Sequence, residues 1–505
     1  MLRKKSITSV YLAIDLGAGS GRVIAGICRE GDLELEEINR FENTPIEEGK
    51  ALYWDFENLW GEIINGLSIA AKQPWADKIR SIGVDTWGVD YGLLGADNNL
   101  LKRPRNYRDP RTDGAMDEVF GKISREAIFG FTGIQFMQLN TLYQMHAELR
   151  DNPDDIAAAN QFLLIPDLIN LRLSGQTVCE RTNASTTQLY DPQKKDWAWE
   201  IFDTLGLPRS IAPDFIDAGD TVGHLLPELV EKTGLAPTVS VVAVGSHDTA
   251  SAVAGVPSES GSQSAFLSSG TWSLLGAESS FVAISEKSKE YNFTNEVGVC
   301  DTIRLLKNIN GLWIIQEARR IWAEAGDDRS YAELSDLTEK APSLKSFIDP
   351  DAPQFTARGD MPTLVQQYCC EADQDVPQDA AEILRVVTES LAMKYRFVLG
   401  CLEELLGQRM KVIHVIGGGG QNRLLNQCIA NALGRPVIVG PFEATAAGNI
   451  LMQMLASEEI STLAEGRALV RSSMDVEEYT PQDTNAWLDA YDRFLRLIEL
   501  ATTTT

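Results

Sequence analysis

Two stretches about 250 residues apart share one build, and an internal repeat at that distance constrains the fold more than anything else in the chain. "AIDLGAGSGRVIAGI" (13–27) and "SAFLSSGTWSLLG" (264–276) each run apolar, then through a turn of small residues, then apolar again. Each reads as a β-hairpin with a glycine-bearing turn. The repeat predicts duplicated halves, 1–254 and 255–505, with "GVPSESGSQSA" (255–265) as the connection. A chain of 505 residues also exceeds what one hydrophobic core organises.

Composition removes several classes of function. With 45 Lys and Arg against 72 Asp and Glu, the net charge of −27 repels nucleic acid and anionic membrane surfaces. No run approaches a membrane span, and the apolar stretch at the start, "MLRKKSITSVYLAID", is too short for a signal-peptide core and is interrupted by Asp15. Cysteines at 28, 179, 300, 369, 370, 401 and 428 show no Cys-x-x-Cys spacing. They read as reduced thiols in a cytoplasmic protein.

Secondary-structure periodicity alternates, which makes the class α/β. "SIGVD" (81–85), "SVVAVGS" (240–246) and "KVIHVIG" (411–417) read as strands. "AAEILRVVTESLAMKYRFVLGCLEELL" (380–406) reads as a long helix, and the "ATTTT" tail as frayed.

The first hairpin turn lacks the third glycine of a dinucleotide fingerprint, and no phosphate-binding loop ending in Gly-Lys-Ser/Thr occurs. Two readings stand: an ordinary turn, or a turn whose backbone N–H groups approach phosphate oxygens. In the second reading Asp15 at the strand end reaches a water on Mg²⁺. Four glycines, 417–420, sit between a strand and a helix ended by Gly434. They form either a tight turn or a place where an adenosine approaches the backbone.

"VGSHDTASAV" (244–253) ends a strand and opens a helix, so Asp248 is either a helix cap or the acceptor of a substrate proton. "GVDTWGVDYGLLGADNNLLKRPRNYRD" (83–109) offers Asp85 and Asp90 for sugar hydroxyls, Trp87 as core or as a ring platform, and Arg108 with Asp109 as a supporting pair. Asn308 and Gln316 stand eight residues apart in sequence, nearly on one face if their segment is helical.

Taken together, "AIDLGAGSGR", "DTWGVD", "SHDTAS", "SSGTWS", "NINGLWIIQ" and "GGGGQN" resemble, in order and spacing, the FGGY-type carbohydrate kinases of the actin-like ATPase superfamily. The resemblance implies two duplicated actin-like ATPase (ribonuclease H-like) domains with a central cleft. It implies that Ala18, Gly19, Ser20, Gly21, Arg22 and Thr271 contact ATP phosphates, and that Gln316 and Gly419 contact the nucleotide. It further implies that Gly88, His247, Asp248, Thr249 and Asn308 line the sugar site, with Asp248 as proton acceptor. "YRDPRT", "TGIQF", "NTLYQ", "TNASTTQL" and "KNINGLW" are similar to the branch acting on L-rhamnulose. That branch implies transfer from ATP, with Mg²⁺, to give L-rhamnulose 1-phosphate in L-rhamnose catabolism, by a monomer or homodimer. A kinase for L-fuculose or a pentulose is the nearer alternative. A non-catalytic sugar sensor is the farther one, and an intact Asp248 argues against it.

Overall fold

The computed structural model describes residues 6–259 and 263–502. Residues 260–262 of the expected connection and 503–505 of the threonine tail lie outside them. Among the described residues two compact units form. The first takes residues up to 259 together with 278–305 and 443–474, and the second takes 263–277, 306–442 and the chain from 475 onward. No described helix is long and apolar enough to cross a membrane.

The first unit is built on a six-stranded sheet in the order Thr221–His224, Ser240–Val242, Ile79–Thr86, Ile7–Leu16, Ser20–Arg29, Asp32–Glu42. The expected hairpin is its centre: Ile7–Leu16 pairs antiparallel with Ser20–Arg29 and parallel with Ile79–Thr86. Alternation along the first strand explains why its run is apolar throughout. Val10, Leu12, Ile14 and Leu16 join one core with Ile63 and Leu67 of helix Phe56–Ala70 and Ile169 of helix Ile165–Ser174. Tyr11 and Ala13 join another with Ala446, Ala447 and Ile450 of helix Ala444–Ala456.

The strand expected over 240–246 is shorter than read, ending at Val242. Beyond it the backbone leaves the strand, Ala243 bonding Asp220 and Gly219 and Thr86 N donating to Ser246 O at 2.9 Å. That departure lets the chain start helix Asp248–Ala254 directly at the sheet's end. The helix packs on Ala444–Ala456 with almost no spacing: a Cβ at Gly448 would stand 1.8 Å from Ser251 O, and one at Gly255 2.2 Å from Ala444 O. Backbone carbonyls cannot yield as a flexible side chain does. Gly448→Ala should therefore destabilise the unit by about 1–3 kcal/mol, the usual cost of overpacking, seen as a lower Tm in thermal melts. An unchanged Tm would show that the helix spacing is set elsewhere.

In the second unit six strands lie side by side in the order Ile303–Asn310, Trp272–Ser279, Ser264–Ser269, Val412–Ile416, Val437–Val439, Glu477–Tyr479. The second hairpin again lies among them, and the helix read over 380–406 forms with those bounds, Ala380–Leu406. Asp379 caps its start and Gly407, at φ +64°, ends it in the left-handed region. The pairing of Asn308 and Gln316 on one helix does not form. Asn308 lies on strand Ile303–Asn310 and Gln316 on helix Trp313–Glu324, because the chain breaks at Gly311. A Cβ there would meet Ser273 Oγ at 2.5 Å and Gly270 O at 2.7 Å.

Candidate active site

In the first hairpin the turn carbonyls face inward. Asn43 donates from its side chain to Gly17 O at 2.9 Å and from its backbone to Gly19 O at 3.2 Å. The N–H groups of Ala18 and Gly19 have no acceptor among the described residues, and both positions are exposed. A Cβ on Gly19 would meet nothing within 4 Å. Such a turn presents donors to an incoming anion.

Arg22 stands opposite Asp15 across the hairpin and bonds it at 2.5 Å. Its other nitrogen reaches Glu443 at 2.6 Å, immediately before helix Ala444–Ala456. Two carboxylates therefore hold the guanidinium at the turn, and sequence reading missed the second of them.

The second hairpin repeats the device with different partners. Leu312 N donates to Gly270 O at 2.9 Å and Gly311 N to Thr271 O at 3.1 Å, while the Thr271 N–H has no acceptor among the described residues. Thr271 Oγ1 donates to Gln316 Oε1 at 3.0 Å. The glycine run forms the turn Gly418–Gln421 ahead of helix Arg423–Leu433. Gly419 is buried against Ser269, whose Oγ would lie 2.2 Å from a Cβ at that position. Thr271, Gln316 and Gly419 therefore form one cluster in the second unit. Asn308 belongs to the same unit, half-buried on its strand.

The remaining expected residues gather in the first unit. Asn183 Nδ2 donates to Ser246 O at 3.3 Å and Trp87 O at 3.5 Å, which ties the 245–249 loop to the Gly88 turn. Glu180, fully buried, accepts from Ser246 Oγ at 2.6 Å, Ser246 N at 3.1 Å and Thr182 N at 2.8 Å. Gly88 backs onto Thr186, whose Oγ1 would lie 2.9 Å from a Cβ there. The next residue, Val89, is β-branched at φ +67°, a strained conformation held because its N–H donates to Thr186 Oγ1 and its carbonyl accepts from Thr141 Oγ1 at 2.6 Å.

Asp248 is not the helix cap. His247 occupies that position without a side-chain capping bond, and Asp248 is the first helical residue. Its Oδ1 accepts from Thr249 N at 2.6 Å and Thr249 Oγ1 at 3.1 Å, and lies 3.3 Å from His247 Nε2. Burial raises the Asp248 carboxyl above its ordinary range; His247 opposes the rise and the Asp15 charge adds to it. Asp85, paired in register beside Asp15, is raised well above its ordinary range by burial, then by Asp15, with Asp248 contributing too. Asn449 Nδ2 donates to Asp85 Oδ2 at 2.6 Å, while Oδ1 is buried without a hydrogen bond.

Other sugar-site candidates prove structural. Asp90 is buried and accepts from Trp54 Nε1 at 2.6 Å, Gln144 Nε2 at 2.9 Å, Trp87 Nε1 at 3.0 Å and Tyr107 N at 3.2 Å. Burial raises its carboxyl to about 6 against the pull of those donors. Trp87 is core, its ring 4.2 Å from that of Trp54. Asp109 pairs with Arg105 at 3.0 Å.

An actin-like ATPase fold has such a hairpin in each of two sheets, and this chain has both. Residues 10–255 match the N-terminal domain of the FGGY family of carbohydrate kinases and residues 265–457 its C-terminal domain, so the chain belongs to that family. It is 43% identical over 484 residues to the rhamnulokinase of Bacteroides thetaiotaomicron, covering 96% of this chain and 98% of the relative. It is 41% identical over 468 residues to that of Oceanobacillus iheyensis, covering 93% and 97%. Among solved structures, a ligand-bound xylulose kinase from Lactobacillus acidophilus matches with a TM-score of 0.82 at 15% identity over 98% of each chain. Glycerol kinase of Plasmodium falciparum with ADP matches with a TM-score of 0.78 at 18% identity, covering 97% of this chain and 98% of that one. At those identities the two structures share the fold alone.

Proposed function

We propose that the chain transfers the γ-phosphoryl group of ATP to the C1 hydroxyl of L-rhamnulose. The observation that carries this reading is the near-full-length likeness to rhamnulokinases at 43% and 41% identity. In the reaction the hydroxyl oxygen forms a bond to the γ-phosphorus and the bond to the ADP oxygen breaks. The hydroxyl proton passes to Asp248, whose Oδ2 has no partner among the described residues. Phosphoryl transfer asks the protein mainly for positioning and charge stabilisation.

In this reading Ala18, Gly19, Ser20, Gly21 and Arg22 receive phosphate oxygens, with Thr271 doing the same from the second unit. Gln316 and Gly419 hold the nucleoside, and Gly88, His247, Thr249 and Asn308 bind the sugar. No group of three or more His, Cys, Asp or Glu among the described residues forms a metal cage. That donor set fits Mg²⁺ held chiefly by phosphates and water, with Asp15 as the protein's contact and the orphaned Asp85 Oδ1 near by. Bound there, the cation would neutralise charge developing on the phosphates. The seven thiols are all unpaired, in keeping with a reducing, cytoplasmic setting.

A coupled ADP-release assay across L-rhamnulose, L-fuculose, L-ribulose and D-xylulose tests the substrate. The highest kcat/KM is expected for L-rhamnulose, with slow ATP hydrolysis when no sugar is present. Preference for another ketose would overturn the substrate assignment and leave the family untouched.

A further inference from the structure

His247 is gripped from behind by two residues that lie outside every motif quoted above. Its Nδ1 stands 3.2 Å from Glu296 Oε2 and 3.3 Å from an Arg304 guanidinium nitrogen, and those two residues pair with each other at 3.0 Å. Both side chains are buried, that of Arg304 completely. Arg304 Nε also donates to Val297 O at 3.1 Å, which fixes the guanidinium to the strand that carries Glu296. Burial pushes the Glu296 carboxyl up, and Arg304 with His247 pulls it below its ordinary range. Taking a guanidinium wholly out of water is costly, and pairing alone repays it poorly.

The front of the same ring faces Asp248. A guanidinium only donates, so the Arg304 contact uses the lone pair of Nδ1 and leaves the ring hydrogen on Nε2, facing Asp248. With that hydrogen, all the donors near Asp248 fall on Oδ1: His247 Nε2, Thr249 N and Thr249 Oγ1. Oδ2 is left for the acceptor hydroxyl.

We propose that the Glu296–Arg304 pair positions His247, and through it turns the Asp248 carboxylate so that Oδ2 alone meets the substrate hydroxyl. Neither residue touches substrate; they are positioning residues, and the inference rests on Asp248 being the proton acceptor. Clamping Nδ1 fixes the plane of the imidazole. A free ring would rotate, release Oδ1, and let the carboxylate swing away from the productive geometry.

The test compares Glu296→Gln with the double variant Glu296→Gln/Arg304→Met. The single variant leaves a buried guanidinium unpaired and can unfold for that reason alone, whereas the double removes both charges at similar volume. The chain has four histidines, so ¹⁵N-histidine NMR reads every ring, and a His247→Gln variant assigns the signal. The wild type should show a single tautomer protonated at Nε2. The double variant should fold, show an averaged His247 tautomer, and lose ~10–100-fold in kcat with KM for ATP unchanged, by analogy with the loss when a partner orienting a metal-bound histidine is removed. A folded double variant with the wild-type ring signal and wild-type kcat would overturn the proposal. So would one that does not fold, since the pair would then be a folding element. If Asp248→Asn keeps its turnover, the proton-acceptor reading itself fails, whatever the double variant does.

Discussion

Asp248→Asn should lower kcat by ~10²–10⁴-fold while leaving ATP affinity nearly intact, because an amide keeps the shape of the side chain but cannot take the substrate proton. The structure makes the substitution a clean one. His247, not Asp248, occupies the cap position, and an asparagine Oδ1 can still accept from Thr249 N and Thr249 Oγ1 when the charge is removed. The pH profile gives a second readout. A base must be ionised to act, so activity falls as pH falls through its pKa, and burial lifts that pKa above the ordinary aspartate range. The wild type should thus show an acid limb in kcat/KM above that range, and the residual activity of the variant should lack it. Near-normal turnover by Asp248→Asn would remove Asp248 from the chemistry.

Gly19→Val should weaken ATP binding by at least ~10-fold and the ketose far less, as measured for each by calorimetry. A side chain at this position meets no protein atom within 4 Å, so it costs little inside the fold and occupies the space in front of the free amides. The contrast with its neighbour is instructive. A Cβ at Gly21 would stand 2.4 Å from the Phe41 ring, so the same substitution there would disturb packing before it disturbed any ligand. Equal losses for ATP and sugar, or a loss of Tm alone, would make the 17–19 turn an ordinary one.

Local patterns in the sequence carried the parts of the fold whose causes are local. Both hairpins, the long helix Ala380–Leu406 and the glycine turn before helix Arg423–Leu433 formed where alternation, 3.6-residue spacing and glycine punctuation put them. Asn308 was misplaced because an apolar run reads equally well as strand or helix, and the break at Gly311 was passed over. Glu180, Glu296, Arg304 and Glu443 were invisible for a different reason. Each is a charged residue that meets a partner far along the chain, Ser246 for Glu180, His247 for Glu296 and Arg304, and Arg22 for Glu443, so no spacing announces it. The strained Val89 was hidden too, because its left-handed backbone is imposed by hydroxyls of Thr141 and Thr186 that arrive from other elements.

The helix Ala444–Ala456 covers one face of the first unit's sheet and supplies Asn449 to Asp85 and Gln453 to Ser81 and Leu12 O. Asn449 and Gln453 are made 364 to 441 residues after the strand residues they bond. On the ribosome, the first hairpin and the Asp248 loop therefore leave the exit tunnel with Tyr11, Ala13 and Ile24 still bare and Asp85 still lacking its amide donor. Residues 261–442 must follow before that helix emerges to cover them. The order of synthesis thus runs against the order of assembly: the first unit to begin is unable to finish until the chain is almost complete, and an apolar sheet face waits through the making of nearly the whole second unit.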